Sequence, residues 1–271
     1  MPLYNIITVS YLYETHLHTA EVSKCAVSGG AEYIAGYIEK GYTGIIVTDH
    51  FFNANSALSK KLPWEEWVNR FYMGYERAKK EGDRQGLDVF FGWEEAFEGG
   101  DEYLVYGLDK EWLLEHPEVR SWTRGEQYRA VREAGGCVIQ AHPFRQRSYI
   151  SRIVLSTGCV DGVEAVNGGH EDDTYDALAY RYAQKAGKPV TAGTDIHNAS
   201  DVLHGQIYGV YLEKKLNSIG DFVNMILNKE VADLKICNRK LDSYNLNDIR
   251  IPVEIRDEND NITCKHFKEL L

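Results

Sequence analysis
The chain offers nothing from which to build a disulfide framework. Its five cysteines (Cys25, Cys137, Cys159, Cys237 and Cys264) are odd in number, scattered and without a C-x-x-C pair, which argues against a zinc ribbon as well and points to a reducing, cytoplasmic setting. No apolar run approaches the roughly 20 residues of a membrane helix, and Tyr4, Asn5, Thr8, Ser10 and Tyr11 interrupt the stretch where a signal-type apolar core would lie. Cations are scarce: 30 Lys and Arg stand against 41 Asp and Glu, a net charge of -11. Neutralising a phosphate backbone needs clustered cations, so nucleic acid is not expected as the main partner. Gly29-Gly30 and Gly99-Gly100 lack the spacing of a dinucleotide or Walker loop. There is no internal repeat and no low-complexity linker.

What is present is an alternation of short apolar runs with amphipathic ones. At 271 residues, 44% hydrophobic and 26% charged, the chain is long enough for one α/β barrel or two small domains. Strands are expected over 4–18, 43–47, 87–92, 103–107, 136–140, 160–166, 189–192 and 207–212. Helices are expected over 30–40 (capped by Ser28, with Ile34 and Ile38 inward), 63–82, 109–115, 124–134, 172–186 and 217–228. This alternation implies a parallel sheet, whose reactive groups sit at the C-terminal ends of strands. Residues 1–230 are expected to form the barrel domain. Residues 231–271 are expected to be an extension packed on it, with a hairpin pairing 251–255 and 262–265.

Five groups of metal-ligand residues each follow an apolar run. They are His16-Leu17-His18, Thr48-Asp49-His50, Trp93-Glu94-Glu95, Ala141-His142-Pro143 and Thr194-Asp195-Ile196-His197. In a strand, the i, i+2 spacing of His16 and His18 places both imidazoles on one face. Asp195 and His197 repeat that spacing with a carboxylate, a mixed set suited to Zn, Mn or Fe rather than Ca. Glu94 can bridge two ions, with Glu95 an equal competitor. Glu21 and Glu102 are further carboxylates within reach of the same rim, His170 can line the site, and Asp49 can orient a neighbouring histidine. Arg145 and Arg147 follow His142 closely, and a guanidinium is a natural fork for a phosphate oxyanion.

These motifs, in this order over residues 16–197, resemble the polymerase and histidinol phosphatase (PHP) domain family. The resemblance implies a distorted (β/α)7 TIM-like barrel with its metal site at the C-terminal ends of the strands. It implies two or three divalent ions (Zn, Mn or Fe) and hydrolysis of phosphoesters. Carried over by position, it gives metal roles to His16, His18, His50, Glu94, His142, Asp195 and His197. Two departures stand out. Ser23 occupies the place of an Asp common in the family, for which Glu21 is the expected substitute. Glu102 stands where many members have a His.

The expected enzyme is therefore a metal-dependent phosphoesterase acting on a small phosphorylated metabolite or nucleotide, with Asp195, His197 and Arg145 as its catalytic residues. Two alternatives share the barrel: an amidohydrolase-like C–N hydrolase, and a metal-binding PHP domain without catalysis.

Overall fold
The computed structural model describes residues 10–231, 233–263 and 267–271; the expected strand over 4–9 and the end of the expected hairpin at 264–265 lie outside these. The strands are β1 (Tyr11–Leu17), β2 (Gly44–Val47), β3 (Asp88–Ala96), β4 (Glu102–Tyr106), β5 (Cys137–Ala141), β6 (Ile153–Leu155), β7 (Gly162–Asn167), β8 (Val190–Gly193), β9 (Gly209–Leu212), β10 (Asp233–Lys235) and β11 (Val253–Ile255). The helices are α1 (Ile34–Glu39), α2 (Trp64–Phe71), α3 (Met73–Gln85), α4 (Lys110–Glu115), α5 (Arg124–Glu133), α6 (Asp173–Ala186), α7 (Ser200–His204) and α8 (Ile219–Asn228).

Nine strands form one sheet in the order β10-β9-β1-β2-β3-β4-β5-β7-β8. The sheet curls until its last strand meets β1. Thr15 Oγ1 donates to Ala192 O at 3.0 Å, Asp195 N to His16 O at 2.9 Å and His18 N to Ile196 O at 3.0 Å. Seven strands thus make a distorted, nearly closed TIM-like barrel, while β9 and β10 continue outward from the start of β1. β2, β4, β5 and β7 are buried along their whole length, as strands covered on both faces must be. Phe51, Trp67, Phe71 and Trp93 fill the space between α2 and β3, and Tyr106 of β4 packs edge-on against Phe222 of α8.

Four expectations need correction. The sheet is mixed: β4 runs antiparallel to both β3 and β5, because the five residues between β3 and β4 (97–101) can close a hairpin but cannot carry a parallel crossover. β9 is likewise antiparallel to β1. The helix expected over 63–82 breaks at Tyr72 into α2 and α3. Ser28 does not cap a helix; its Oγ accepts from Ala199 N at 3.0 Å, and Ile38 is exposed.

The tail is stitched to the barrel. β10 pairs with β9, β11 pairs in parallel with β6, and a turn at 257–261 brings Arg256 into an antiparallel bridge with Ile262. Among the described residues no helix is long and apolar enough to cross a membrane.

Candidate metal centre
All five motifs reach one rim of the barrel. His16 and His18 both face the centre from the end of β1, while Glu14, set off from them by an irregularity in the strand between Glu14 and Leu17, lies behind against Tyr37 of α1; all three are fully buried. His50 follows β2 and is bridged to Glu94, which lies inside β3 rather than beyond it. His142 follows β5, and Asp195 and His197 follow β8. Glu102 joins them because its strand is reversed: the first residue of a downward strand stands on the rim where its neighbours end. The ligand atoms fall into overlapping groups, each within 4.8 Å: His18, His50 and His197; His16, His142 and Asp195; His16, His18 and Glu94; and His50, Glu94 and Glu102.

Hydrogen bonding behind the cluster turns its lone pairs inward. His16 Nδ1 lies 2.9 Å from Glu164 Oε1. His18 Nδ1 lies 3.2 Å from Ser23 Oγ, whose own proton goes to Asp49 Oδ1 at 2.6 Å. Both rings therefore donate from Nδ1, and the two Nε2 atoms face each other at 3.1 Å. Glu94 Oε1 is 3.2 Å from one and Asp195 Oδ1 is 3.1 Å from the other. With both rings neutral these are four acceptors and no donor. Only positive charge placed among them relieves the repulsion.

The acid–base balance agrees. Burial pulls His16 down, but Glu164, Glu94 and Asp195 outweigh it and hold the ring well above its ordinary pKa. Burial, helped by His50 and His197, holds His18 well below. Glu102 is pushed up to about 8 by burial and by the Glu94 carboxylate. His50 Nδ1 and Glu94 Oε2 stand 2.9 Å apart yet out of hydrogen-bond alignment. An imidazole–carboxylate set of this kind fits divalent Zn, Mn or Fe.

The backbone is bent to make the cluster. His142 and Asp195 hold positive φ, 27° and 55°, a region sparsely used by residues with a side chain and common at functional sites. Asp195 is tied by Arg145, whose Nη2 lies 2.5 Å from Asp195 Oδ2 and 2.6 Å from Asn167 Oδ1. Arg145 Nε is buried without a partner. A cavity of about 530 Å³ opens over the cluster, lined by Cys25, His50, Asn55, Glu102, Arg145, Tyr149, Asp195 and His197. Burial raises the Cys25 thiol, but its hydrogen bonds with His197 and His50 prevail and bring it down to about 6.

Three sequence candidates stand apart. Glu21 does not join the cluster: its carboxylate accepts from Gly30 N at 3.1 Å and pairs with Arg77, because its loop turns it toward α3. Arg147 pairs with exposed Glu171 instead of entering the cavity. Glu95 points to the other face of β3, where Asn53 N and Ala96 N donate to it at 2.9 Å. His170 lies beside the site, its ring edge-on to His142 and its Nδ1 2.7 Å from Asp176.

Three contributors escaped the sequence reading: Glu14, Cys25 and Glu164, whereas Ser23, read there as standing in place of an Asp, proves to hold His18 Nδ1. Glu164 and Glu14 each left a signal, an acid inside a buried strand. Cys25 left none, because a loop has no period.

Compared by sequence, the chain matches no protein-family model and no curated protein. Solved structures do match. A two-domain protein from Bacteroides vulgatus containing a predicted PHP-like metal-dependent phosphoesterase is 13% identical over 85% of this chain and 66% of its own, with a TM-score of 0.54. A protein from Bifidobacterium adolescentis, proposed as a metal-dependent phosphoesterase, is 15% identical over 81% and 96%, with a TM-score of 0.50. A lesion-specific endonuclease from Pyrococcus furiosus is 12% identical over 81% and 56%, with a TM-score of 0.51. The chain spans less than two thirds of the first and third of these. At such identities the likeness is one of fold, and the fold is the PHP-like barrel.

Proposed function
We propose that the chain is a metal-dependent hydrolase of phosphate esters, acting on a small phosphorylated metabolite or nucleotide. One observation carries the reading above the others. A buried arginine with a free Nε stands on the wall of the same cavity as a convergent set of imidazole and carboxylate lone pairs. His16, His18, His50, Glu94, His142, Asp195 and His197 would hold two ions, and Glu102 with His50 and Glu94 would serve a third. Bound divalent ions would supply Lewis acidity toward the phosphoryl oxygens and the attacking water.

The protein's own share is orientation and charge. Arg145, fixed at Nη2 by Asp195 and Asn167 on the cavity wall, would offset charge that grows on the phosphoryl oxygens in the transition state. His197 donates from Nδ1 to the Asp195 carbonyl at 2.8 Å, which leaves its Nε2 as an acceptor. The net charge of -11 disfavours a long polyanion and leaves a small ester as the better substrate. No lysine lines the cavity among the described residues, which favours phosphoester over carboxylated-lysine C–N chemistry.

The test is phosphate release from a panel of phosphomonoesters and phosphodiesters by protein loaded in turn with Mn, Zn and Fe. An H18A/D195A variant serves as control. Turnover that disappears in the variant is expected. Two or more ions bound per chain with no turnover anywhere on the panel would overturn the phosphoesterase reading and leave the metal centre standing.

A further inference from the structure
The metal ligands and Arg145 account for only part of the cavity lining. Asn55 and Tyr149, on two separate loops, also line it and have no part in the proposed chemistry. At about 530 Å³ the cavity has the size of a site for a whole small molecule, more than a phosphoryl group fills. The remaining space belongs to the leaving group.

Tyr149 is 65% exposed, the most exposed aromatic side chain among the described residues. Its loop is nevertheless well anchored. Phe144 before it and Ile150 after it are buried, Gln146 Nε2 donates to Asp248 O at 2.8 Å, and Ser151 N donates to Gly99 O at 3.0 Å. The tail and the β3–β4 hairpin thus hold the loop from two sides. Among the described residues no aromatic ring or cation packs on the Tyr149 ring, and its hydroxyl has no partner. A large ring left in water contributes little to folding, and its flat face is free to cover another flat surface.

Asn55 is presented in the same way. Lys24 N donates to its carbonyl O at 3.0 Å, Ala57 N donates to Val22 O at 2.7 Å, and Ser56 bridges to Ser23. The backbone is fixed on each side, while the side-chain amide has no hydrogen bond among the described residues. An amide offers a donor and an acceptor side by side, the complement of the edge of a nitrogen heterocycle. A sugar's hydroxyls would satisfy the amide too, but its puckered ring gives tyrosine no plane to stack on. A nucleobase has both the edge and the π-face.

We propose that Tyr149 and Asn55 form a base-binding subsite, so that the ester hydrolysed is that of a nucleoside. This rests on the phosphoesterase reading above and names its leaving group. Tyr149 stacks on the base, Asn55 reads its edge, and Arg145 stays with the phosphoryl group. The two residues set specificity and leave the bond-breaking step to the rest of the site.

The test compares a nucleoside 5′-monophosphate with ribose 5-phosphate, the same ester without the base. Manganese-loaded protein is used, with kcat/KM reporting turnover and calorimetry of the non-hydrolysable 5′-phosphonate analogues reporting binding. The base should raise kcat/KM and affinity alike, by about tenfold or more. Tyr149→Ala should bring both ratios close to unity, and Tyr149→Phe should keep them. Tyr244→Ala, at an exposed tyrosine of the tail, should leave them unchanged. Asn55→Ala should level the differences among bases while the preference for having a base persists. Equal use of the two esters, or a base preference that survives in Tyr149→Ala, would overturn the subsite and leave the phosphoesterase standing. Base-dependent binding without turnover of either ester would do the reverse, keeping the subsite and overturning the phosphoesterase. Neither binding nor turnover would sink both.

Discussion
At the scale of single residues, the site is held by groups that never touch its contents. Glu164 accepts from His16 Nδ1, and its other oxygen takes Asn167 Nδ2 at 2.9 Å. Glu164→Ala should leave His16 free to change tautomer and should weaken metal binding about 10–100-fold. Metal titration of the stripped protein would measure this, and unaltered affinity would refute the role. Glu95, buried on the opposite face, makes a separate prediction. Burial pushes its carboxyl up to about 8 against donors from Ala96 and Asn53. The native state therefore keeps a proton that the unfolded chain releases near pH 4.5, so stability falls as pH rises from about 4.5 to 8. Glu95→Gln should remove that slope and be the more stable protein at pH 9, by up to about 5 kcal/mol, with little difference at pH 4.5. Urea denaturation at the two pH values decides it. The contrast with Glu94 was only partly legible in sequence. Adjacent acids in a strand must point to opposite faces, but which one faces the histidines depends on the register of β3.

At the scale of elements, β1 and β8 fit closely behind the centre. A Cβ on Gly193 would come within 2.5 Å of His16 Cβ and 2.6 Å of Glu164 Oε1. Gly193→Ala should therefore part these two strands, at a cost of about 1–3 kcal/mol, and lower metal content with it. Thermal melting and metal analysis of one preparation would show both losses together; a loss of stability with full metal content would separate the closure of the barrel from the site. Glu14 sits under the same seam. Its carboxylate takes the N–H groups of Thr15, His16 and Thr194 at 2.9 Å and the Tyr37 hydroxyl at 2.9 Å. Strand positions were legible because buried runs are short and separated by helical periodicity. Strand direction was not taken from the sequence, although five residues between β3 and β4 leave room only for a hairpin. β6 (Ile153–Leu155) and β10 (Asp233–Lys235) escaped because three residues carry no pattern.

At the scale of the whole molecule, the barrel gathers buried carboxylates faster than it gathers cations. Glu94, Glu102, Glu164 and Asp195 are buried around the same rim, and among the described residues Arg145 is the one guanidinium lining the cavity above them. A molecule built this way is expected to gain stability from its ions. Chelation should lower the melting temperature by several degrees, since ligand at 100 times its Kd contributes about 2.7 kcal/mol. Adding back Zn, Mn or Fe should restore it, and a melting curve indifferent to both treatments would count against the centre. The tail shares in this unity. Arg239 reaches across to Asp173 at 2.9 Å and to the His170 carbonyl at 2.8 Å, and Arg124 joins Asp101, one residue before Glu102, to Asp260 at 3.5 Å.

The reversed strand has a practical consequence for anyone seeking to alter what this protein accepts. Most barrel strands return through a helix, so lengthening a rim loop there pulls on a packed layer. The β3–β4 hairpin returns directly, its tip closed by Phe97 N on Asp101 O at 2.9 Å and by two glycines, Gly99 and Gly100, with positive φ. Library diversity introduced at residue 98, with the two glycines kept for their positive φ, would thus change the approach to Glu102 without repacking a helix, which makes this tip the natural graft point for directed evolution.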